Sequence, residues 1–495
     1  MNAPRLPATS LARALGQWRG NGPLHRDLGD RLRLLILDGR IPLGSGLPSE
    51  RALATTLGLS RTTVTAAYEA LRESDHASSR QGSGTLVQLP GPALSPGSPH
   101  GSEGLIDLGR ASLPASELVA PALRAAAEEL PGFLHDTGYD VRGLPHLRQQ
   151  IADDYTRRGL PTGSEQITVT LGSQHAIHLL AHLLISPGDR VLVESPSYPH
   201  ALEALAAAGA RLVGTPVTGT PVTRVLHASQ VPDDGWDLPA LEGTLAASKP
   251  ALAYLMPELH NPTGSTMGAP NRARLLSAAK RHGTTLIVDE TTAGLRADGL
   301  PAGAPLGAGT PPRQLPELIH LGSTGKLFWG GLRVGWIRAQ APLIERIVAA
   351  RSVLDLGTPV VEQLATAHLL RQQAQAGMER AAQLNASAVV ARALAAEHLP
   401  GWGIPEYTGG LALWCHLPSP LASALSLAAR TEGVLLPPGA RFGIGAAAFE
   451  SFVRLPVTST PAELERAIPA IGRAWASVLE PHRGRRERQR DVPLV

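Results

Sequence analysis

The feature that most limits what this chain can become is an alternation that runs through its C-terminal part. Short apolar runs, "QITVTLG", "RVLVESP", "ALAYLMP", "TLIVDET" and "LIHLGST", each end in a polar residue or a Gly/Pro break, and amphipathic stretches such as "SQHAIHLLAHLLI" and "NRARLLSAAKRHG" lie between them. Strands alternating with helices predict an α/β fold, a mostly parallel sheet covered by helices. In such sheets ligands bind beyond the carboxyl ends of the strands. Residues that carry chemistry are therefore expected just after each strand.

A chain of 495 residues has room for about three folding units of roughly 150 residues each. The stretch "LPGPALSPGSPHGSE", residues 89–103, is almost all Pro, Gly, Ser and small side chains. Such a composition buries no core and predicts a linker over 89–105. It separates an N-terminal unit, 1–88, from a large unit, 106–480, which a basic tail, 481–495, follows. The charge is unevenly spread. Residues 1–88 hold eleven Arg and seven acids, and "HRGRRERQR", 482–490, holds five Arg and one Glu, so each carries +4 against a total of +3. The remainder is about −5, and that polarity fits a nucleic-acid-binding module joined to a small-molecule domain. The tail itself is expected to be a solvated, disordered end. The single cysteine, Cys415, lies in the apolar run "LALWC", which predicts a core position and excludes an intramolecular disulfide, as in a reducing cytosol. No window offers the ~20 uninterrupted apolar residues of a membrane helix, so no membrane partner is expected, and no metal site is expected. The first twenty residues carry Arg5, Arg13 and Arg19 without an acid, as a transit peptide does, but Leu11, Leu15 and Trp18 recur at helical spacing and predict a short packed helix.

In the N-terminal unit, Leu24, Leu28, Leu32 and Leu35 mark one face of a first helix. Ser49 can cap a second, which ends at Leu57-Gly58, and Ser60 can cap a third. On that third helix Val64, Ala67, Tyr68 and Leu71 are expected inward, and Arg61, Thr62, Thr65 and Glu69 outward. Two short helices joined by a Gly-containing turn predict a helix-turn-helix. The following "SSRQGSGTLV", residues 78–87, predicts a two-stranded wing.

The ends of the strands in the large unit carry a series of polar groups. Gly172-Ser173-Gln174 opens a helix, whose free N–H groups favour a phosphate. Tyr198, in "PSYP", places an aromatic ring. Asn261, in "HNPTG", can donate to a ligand oxygen. Asp289-Glu290 puts a carboxylate at a buried strand end. Ser323, Lys326 and Arg333 follow the last run, and Lys326 is one of three lysines in an arginine-rich chain. Phosphate donors, a stacking ring, a hydroxyl-binding amide, a carboxylate, a lysine and an arginine are together the needs of pyridoxal 5′-phosphate (PLP). Lysine forms a Schiff base with its aldehyde, a carboxylate keeps its pyridine nitrogen protonated, and arginine grips its phosphate.

"NPTG", Asp289 and Ser-x-x-Lys followed seven residues later by Arg resemble the fold-type I PLP aminotransferases, from about residue 106 to 478. "GSGLPSERALA", "LSRTTV" and "RQGSGT" resemble the GntR winged helix-turn-helix. Together they resemble the MocR/GabR subfamily of transcriptional regulators. The resemblance implies a smaller C-terminal α+β subdomain, PLP on Lys326, Asp289 at the pyridine nitrogen, Asn261 at the ring hydroxyl and Tyr198 stacked on the ring. It implies Ser173, Gln174, Ser323 and Arg333 around the phosphate, and Arg454, in "FVRLP", for the α-carboxylate of an amino acid. Tyr139, in "GYDVRG", would reach the phosphate of a neighbouring subunit, which implies a homodimer. On the DNA side it implies contacts from Arg51, Ser60, Arg61, Thr62, Thr63 and Thr65 and from the wing residues Arg80, Gln81 and Gly82.

Two positions depart from the family pattern. A tyrosine normally follows the carboxylate and bonds the ring hydroxyl, whereas "DETTAG" offers only Thr291 or Thr292. The wing begins Asp75-His76-Ala77 instead of Gly, an aromatic and an aliphatic, so looser wing packing is expected. The expected function is a PLP-dependent, cytoplasmic transcriptional regulator that senses PLP or an amino compound through Lys326 and binds an operator with two half-sites. The alternative is an active aminotransferase with an accessory DNA-binding domain.

Overall fold

The computed structural model describes residues 6–490 except 17, 20–22, 38–39, 42–44, 75, 81–83, 88–104, 219–233 and 445–447, and gives no side chains at 37, 79–80, 84 and 480–490. Nearly all of the expected linker, the wing residues Gln81 and Gly82 and the side chain of Arg80 therefore lie outside the described residues. The chain divides into two compact units. One comprises Met1–Asp107, Ser419–Val453 and Ala470–Val495, and the other Leu108–Pro418 and Arg454–Pro469.

In the first unit, helices Ala8–Leu15, Leu24–Leu37, Glu50–Leu57 and Arg61–Glu73 precede a wing of antiparallel strands β1 (Ala77–Arg80) and β2 (Gly84–Val87). Local chemistry sets the helix boundaries. The Ser49 side chain accepts from Ala52 N and the Ser60 side chain from Thr63 N, while Gly58 closes the second helix in the left-handed region at φ 64°. Leu11 and Leu15 of the short helix Ala8–Leu15 join a common core with Leu53, Val64, Ala67, Tyr68 and Leu71 and with Leu28, Leu32 and Leu35 of helix Leu24–Leu37. Leu24, expected on that inner face, is the helix's first residue and is exposed. Tyr68 drops its hydroxyl onto Pro48 O at 2.9 Å and ties the third helix to the start of the second. The wing is tighter than expected. Leu47 N and Val87 N bond Thr85 O and Ser45 O, so the segment before the second helix extends the wing by a further edge, and His76 and Ala77 are buried.

The division of the chain differs from the expected boundaries, because Ser419–Val453 packs with the N-terminal residues. Strand β3 (Ile106–Asp107) pairs in parallel with a later strand, Val434–Leu435, and Arg40 donates to Ala440 O at 2.8 Å. The tail also departs from expectation: the last helix, Pro461–Arg490, runs through the basic stretch.

The second unit holds a seven-stranded sheet. Its strands are β4 (Ile167–Thr170), β5 (Arg190–Ser195), β6 (Arg211–Pro216), β7 (Leu252–Leu255), β8 (Thr285–Asp289), β9 (Leu318–Ser323) and β10 (Gly335–Arg338), in the order β4-β10-β9-β8-β7-β5-β6. All neighbours are parallel except β10, which runs antiparallel to both β4 and β9. The five expected strands are present. The sheet's far edge β6 and the reversed β10 are additions. Residues alternate between two cores: Val191, Tyr254, Ile287 and Ile319 pack on one face, and Leu192, Ala253, Leu286 and Val288 on the other. A two-stranded sheet of β11 (Ala412–His416) and a strand at Phe452–Pro456 accompanies it, with Cys415 fully buried.

Alternation sends the adjacent acids Asp289 and Glu290 into different surroundings. Glu290 accepts from Tyr155 Oη at 3.0 Å, lies 3.3 Å from His320 Nδ1 and stands 3.6 Å from Arg158 Nη1. Burial alone would raise its pKa, but Arg158, His320 and Tyr155 outweigh burial and hold it at about 2, below the ordinary 4.5. A depressed carboxylate stabilises the fold fully above its unfolded pKa. The Glu290 contribution is therefore expected to be complete above pH 4.5 and to fade as pH falls toward 2, a slope in the urea midpoint that Glu290→Gln should flatten. In the first unit, Tyr68→Phe is expected to cost about 1 kcal/mol, read as a roughly fivefold loss of hydrogen-exchange protection in helix Arg61–Glu73.

Candidate functional site

The carboxyl ends of β4, β5, β7, β8 and β9 bring most of the expected residues together. Asp289, the last residue of β8, is 2% exposed. Tyr254 sits on the neighbouring strand opposite Ile287, on the same face as Asp289, and its hydroxyl donates to Asp289 Oδ2 at 2.6 Å. Thr291 donates to Oδ1 from its backbone N at 2.9 Å and also from its hydroxyl. Burial pushes the Asp289 carboxyl up, while the bonds from Thr291 and Tyr254 pull it down. Such a group suits a cationic partner that completes its neutralisation.

Lys326 lies in the turn after β9, and Nζ donates to Ala111 O at 2.7 Å. Burial and the positive charge of Arg454 lower its pKa to about 8, against the opposing pull of Asp289. Arg454 is 5% exposed and donates to Gly109 O at 2.6 Å. Tyr198 lies close enough to feel both charged groups: burial and Asp289 raise its pKa to about 12, with Arg454 opposing. Lys326, Asp289, Arg454 and Tyr198 thus share one electrostatic neighbourhood.

The anion-binding side is built from β4 and the turn before β10. Gly172 (φ 84°) starts the helix Ser173–Leu184, and Gln174 Nε2 donates to His200 O at 3.2 Å. Arg333 is held in the left-handed region at φ 52°, and its Nη2 donates to Leu171 O at 2.9 Å. A non-glycine residue in that region costs on the order of 1–3 kcal/mol and persists where its surroundings hold it. Gly172 is itself in the left-handed region, and a Cβ there would stand 3.0 Å from Arg333 Nη2, so the guanidinium lies close against the helix start. Ser323 Oγ accepts from Gly325 N at 3.0 Å. The donor set fits PLP: a helix start with an adjacent guanidinium for a phosphate, a buried carboxylate for a ring N–H, and an amine for an aldehyde. Asn261 is 7% exposed, and its Oδ1 is buried without a hydrogen-bond partner among the described residues, as is Gln174 Oε1.

Several contributors were not anticipated from the sequence. Tyr254 lies in a strand read only as an apolar run. His260, read as part of a turn, is fully buried, with Nδ1 2.9 Å from Thr263 Oγ1 and Nε2 3.2 Å from Glu194. Glu194 also accepts from Trp236 Nε1 at 2.8 Å and Met256 N at 2.7 Å, which fixes the loop that carries Asn261. Behind the helix start, His175 bonds Leu171 N and stands 3.1 Å from Asp355, which Arg351 also grips. The threonine departure has a structural answer. Thr291 is committed to Asp289, and Thr292 Oγ1 donates to Glu258 O at 3.2 Å. Tyr139 is 71% exposed.

On the helix-turn-helix, Arg51, Ser60, Arg61 and Thr62 are exposed and Thr63 is half-buried. Thr65, expected outward, is half-buried and donates to Glu50 Oε2 at 2.8 Å. Glu50 also lies 3.6 Å from Arg61 Nε, so one acid braces the start of the exposed helix.

Comparisons with known proteins place both parts of the chain in known families. Residues 109–471 match the family "Aminotransferase class I and II", and residues 24–87 match "Bacterial regulatory proteins, gntR family". The chain is 28% identical to the HTH-type transcriptional regulator TauR of Rhodobacter capsulatus, over 95% of this chain and 99% of that one. It is 32% identical to the probable rhizopine catabolism regulatory protein MocR of Rhizobium meliloti, over 64% of this chain and 65% of that relative. Among solved structures it is similar to LysN, the alpha-aminoadipate aminotransferase of Thermus thermophilus complexed with N-(5′-phosphopyridoxyl)-L-leucine, at 27% identity and a TM-score of 0.66, covering 76% of this chain and 93% of that one.

The lowered pKa of Lys326 gives a direct expectation. PLP uptake by protein stripped of cofactor should speed up as pH rises through about 8, and Arg454→Gln, which removes a neighbouring positive charge, should move that midpoint upward. Stopped-flow absorbance across a pH series measures both.

Proposed function

We propose how a chain of this lineage works, starting from its membership of the class I and II aminotransferase family and, through its gntR-family head, of the MocR/GabR subfamily: it is a PLP-dependent transcriptional regulator whose DNA binding answers to an amine. Its cofactor is PLP, which when bound supplies an aldehyde that condenses with primary amines and a ring that withdraws electrons. The observation that supports the reading is the coexistence on one chain of a capped, exposed helix in a gntR-family head and a buried lysine, aspartate and arginine that share one electrostatic neighbourhood.

In this reading Lys326 provides the amine. Burial and Arg454 hold its pKa near 8, so a substantial fraction is neutral and nucleophilic at ordinary pH. Asp289, fixed by Tyr254 and Thr291, holds the proton of the ring nitrogen. Asn261 meets the ring hydroxyl and Tyr198 covers the ring. Ser173, Gln174, Ser323 and Arg333 receive the phosphate, and Arg454 receives the carboxylate of an incoming amino compound. Both threonines that stand near the usual tyrosine position spend their hydroxyls on the protein. That favours a site that captures amines over one tuned for rapid turnover.

On DNA, Arg51 and Arg61 meet phosphates, Ser60, Thr62 and Thr63 lie at the helix start that faces the major groove, and the wing, with Arg80, Gln81 and Gly82, reaches the minor groove. Thr65 acts through Glu50 as a brace. The protein acts as a cytoplasmic homodimer on two half-sites. Exposed Leu134, Tyr139, Val353 and Leu356 support a covered face there, on segments that touch where Gly357 meets Asp140. An effector shifts DNA affinity only as far as its affinities for the two arrangements differ.

The test uses the purified full chain and its own upstream DNA, with amino acids titrated while binding is followed by fluorescence anisotropy. Lys326→Ala is expected to keep basal DNA binding and lose the amine response. Arg61→Ala should weaken binding to all sequences alike and reduce the salt slope by about one. An amine response that survives in Lys326→Ala sinks the reading. Steady transamination at roughly 1–10³ s⁻¹, without effect on DNA, would establish the enzyme instead.

A further inference from the structure

Helix Leu24–Leu37 has two faces, and only one is used by the winged-helix core. Leu28, Leu32 and Leu35 serve that core, whereas Asp30, Arg33 and Leu34 lie on the opposite side of the helix. Leu34 is nevertheless only 7% exposed and has no place in the core cluster. Its burial comes from elsewhere in the same unit. On helix Ala422–Thr431, residues Ala422, Leu425 and Ala429 are buried, while Ala424, Leu427, Ala428 and Thr431 recur at helical spacing on another stripe. Between the two helices lies a cavity of about 860 Å³, which those four residues line together with Asp30, Arg33, Leu34, Leu105 and Arg430. Ligand sites commonly enclose roughly 300–1,000 Å³ with a mainly apolar lining and a few polar groups that fix orientation.

The polar groups here are unevenly paired. Arg33 Nη1 is held by Asp30 at 3.0 Å, but its Nε is buried without a hydrogen-bond partner among the described residues. The Arg430 guanidinium is half-buried and has no hydrogen-bonding or ionic partner among the described residues, and burial holds its pKa below its ordinary value with no carboxylate to offset it. A desolvated guanidinium without a counter-charge is costly and gains most from an anion. Two arginines against one aspartate leave the lining at +1, which matches a monoanion and disfavours both a cation and a dianion. Leu34, Leu105 and Leu427 ask for an apolar body behind the charge.

We propose that this cavity is a second small-molecule site, which takes an aliphatic or aromatic monocarboxylate, its carboxylate on Arg430 and Arg33 and its apolar body on the three leucines. The site is separate from Lys326 and does not depend on the reading of that residue. Ser74 and His76, at the end of the recognition helix, also line it, so an occupant touches the DNA-reading element directly.

Hexanoate is the probe, titrated into the full chain by isothermal calorimetry, with 1-hexanol as the uncharged and succinate as the dianionic control. Arg454 could also take a carboxylate, so the titration is repeated in Arg454→Gln and Lys326→Ala. Saturable hexanoate binding is expected in the wild type and in both of those variants, with hexanol and succinate each at least about tenfold weaker. Arg430→Gln should weaken hexanoate about tenfold or more, and Leu427→Glu, on the cavity stripe, should do the same by placing an acid in the path. Circular dichroism confirms that each variant is folded, and either one suffices if the other is not. Absence of saturable binding, hexanol as tight as hexanoate, or binding lost in Arg454→Gln but kept in Arg430→Gln and Leu427→Glu would overturn the assignment.

Discussion

A carboxylate buried at the end of a central strand is the constraint on which the second unit depends. Water would solvate Asp289 far better than an apolar interior does, so the fold has to supply the partners. Tyr254 supplies one from the adjacent strand and Thr291 two from the turn beyond. The parallel pairing of β7 and β8 makes the first bond possible, because it places Tyr254 and Asp289 on one face of the sheet. Lys326 and Arg454 then enter the same neighbourhood with the opposite sign, and their mutual repulsion is part of why the amine is readily deprotonated. The acid and the arginine pull the lysine in opposite directions, and burial adds to the arginine's effect.

Much of this was legible in the sequence, and for a physical reason. A parallel strand buried on both faces reads as an unbroken apolar run, and the polar residue after it stands out. Asp289, Asn261, Tyr198, Ser173 and Lys326 were found in that way. Tyr254 was not, because within a strand a buried tyrosine looks like any other large apolar side chain until its neighbour across the ladder is known. The Glu194–His260 pair was hidden for a similar reason, since its members are sixty-six residues apart and meet only through β5 and the loop after β7. The edge strand β6 and the antiparallel β10 were missed because "RLVGTP" and "GWIR" hold only two large apolar side chains each, beside arginine, glycine or proline.

The N-terminal module shows the complementary case. Its caps, turn glycine and inward stripe are local features, and local features are visible one residue at a time. What escaped was again non-local: Glu50 reaches forward to Thr65 and Arg61, and the residues before the second helix join the wing. The wing's unusual opening was expected to pack loosely, yet a buried histidine and an alanine fill the space. The boundary of the unit was also beyond the sequence, since nothing in Ser419–Val453 announces that it pairs with Ile106–Asp107.

The reversed strand β10 is the seam of the sheet. β4 and β9 are not neighbours, and each residue of β10 faces both, with Gly335 opposite Thr170 on one side and Ser323 on the other. A Cβ at that position would stand 2.7 Å from the backbone of Gly172, so even alanine has nowhere to go. The helix start and the lysine turn are therefore kept at a fixed span by a residue that carries no chemistry of its own. In any library built to retune this site, position 335 belongs to the ruler and not to the vocabulary: changing it would alter the distance between the groups that read a ligand before it altered any one of them.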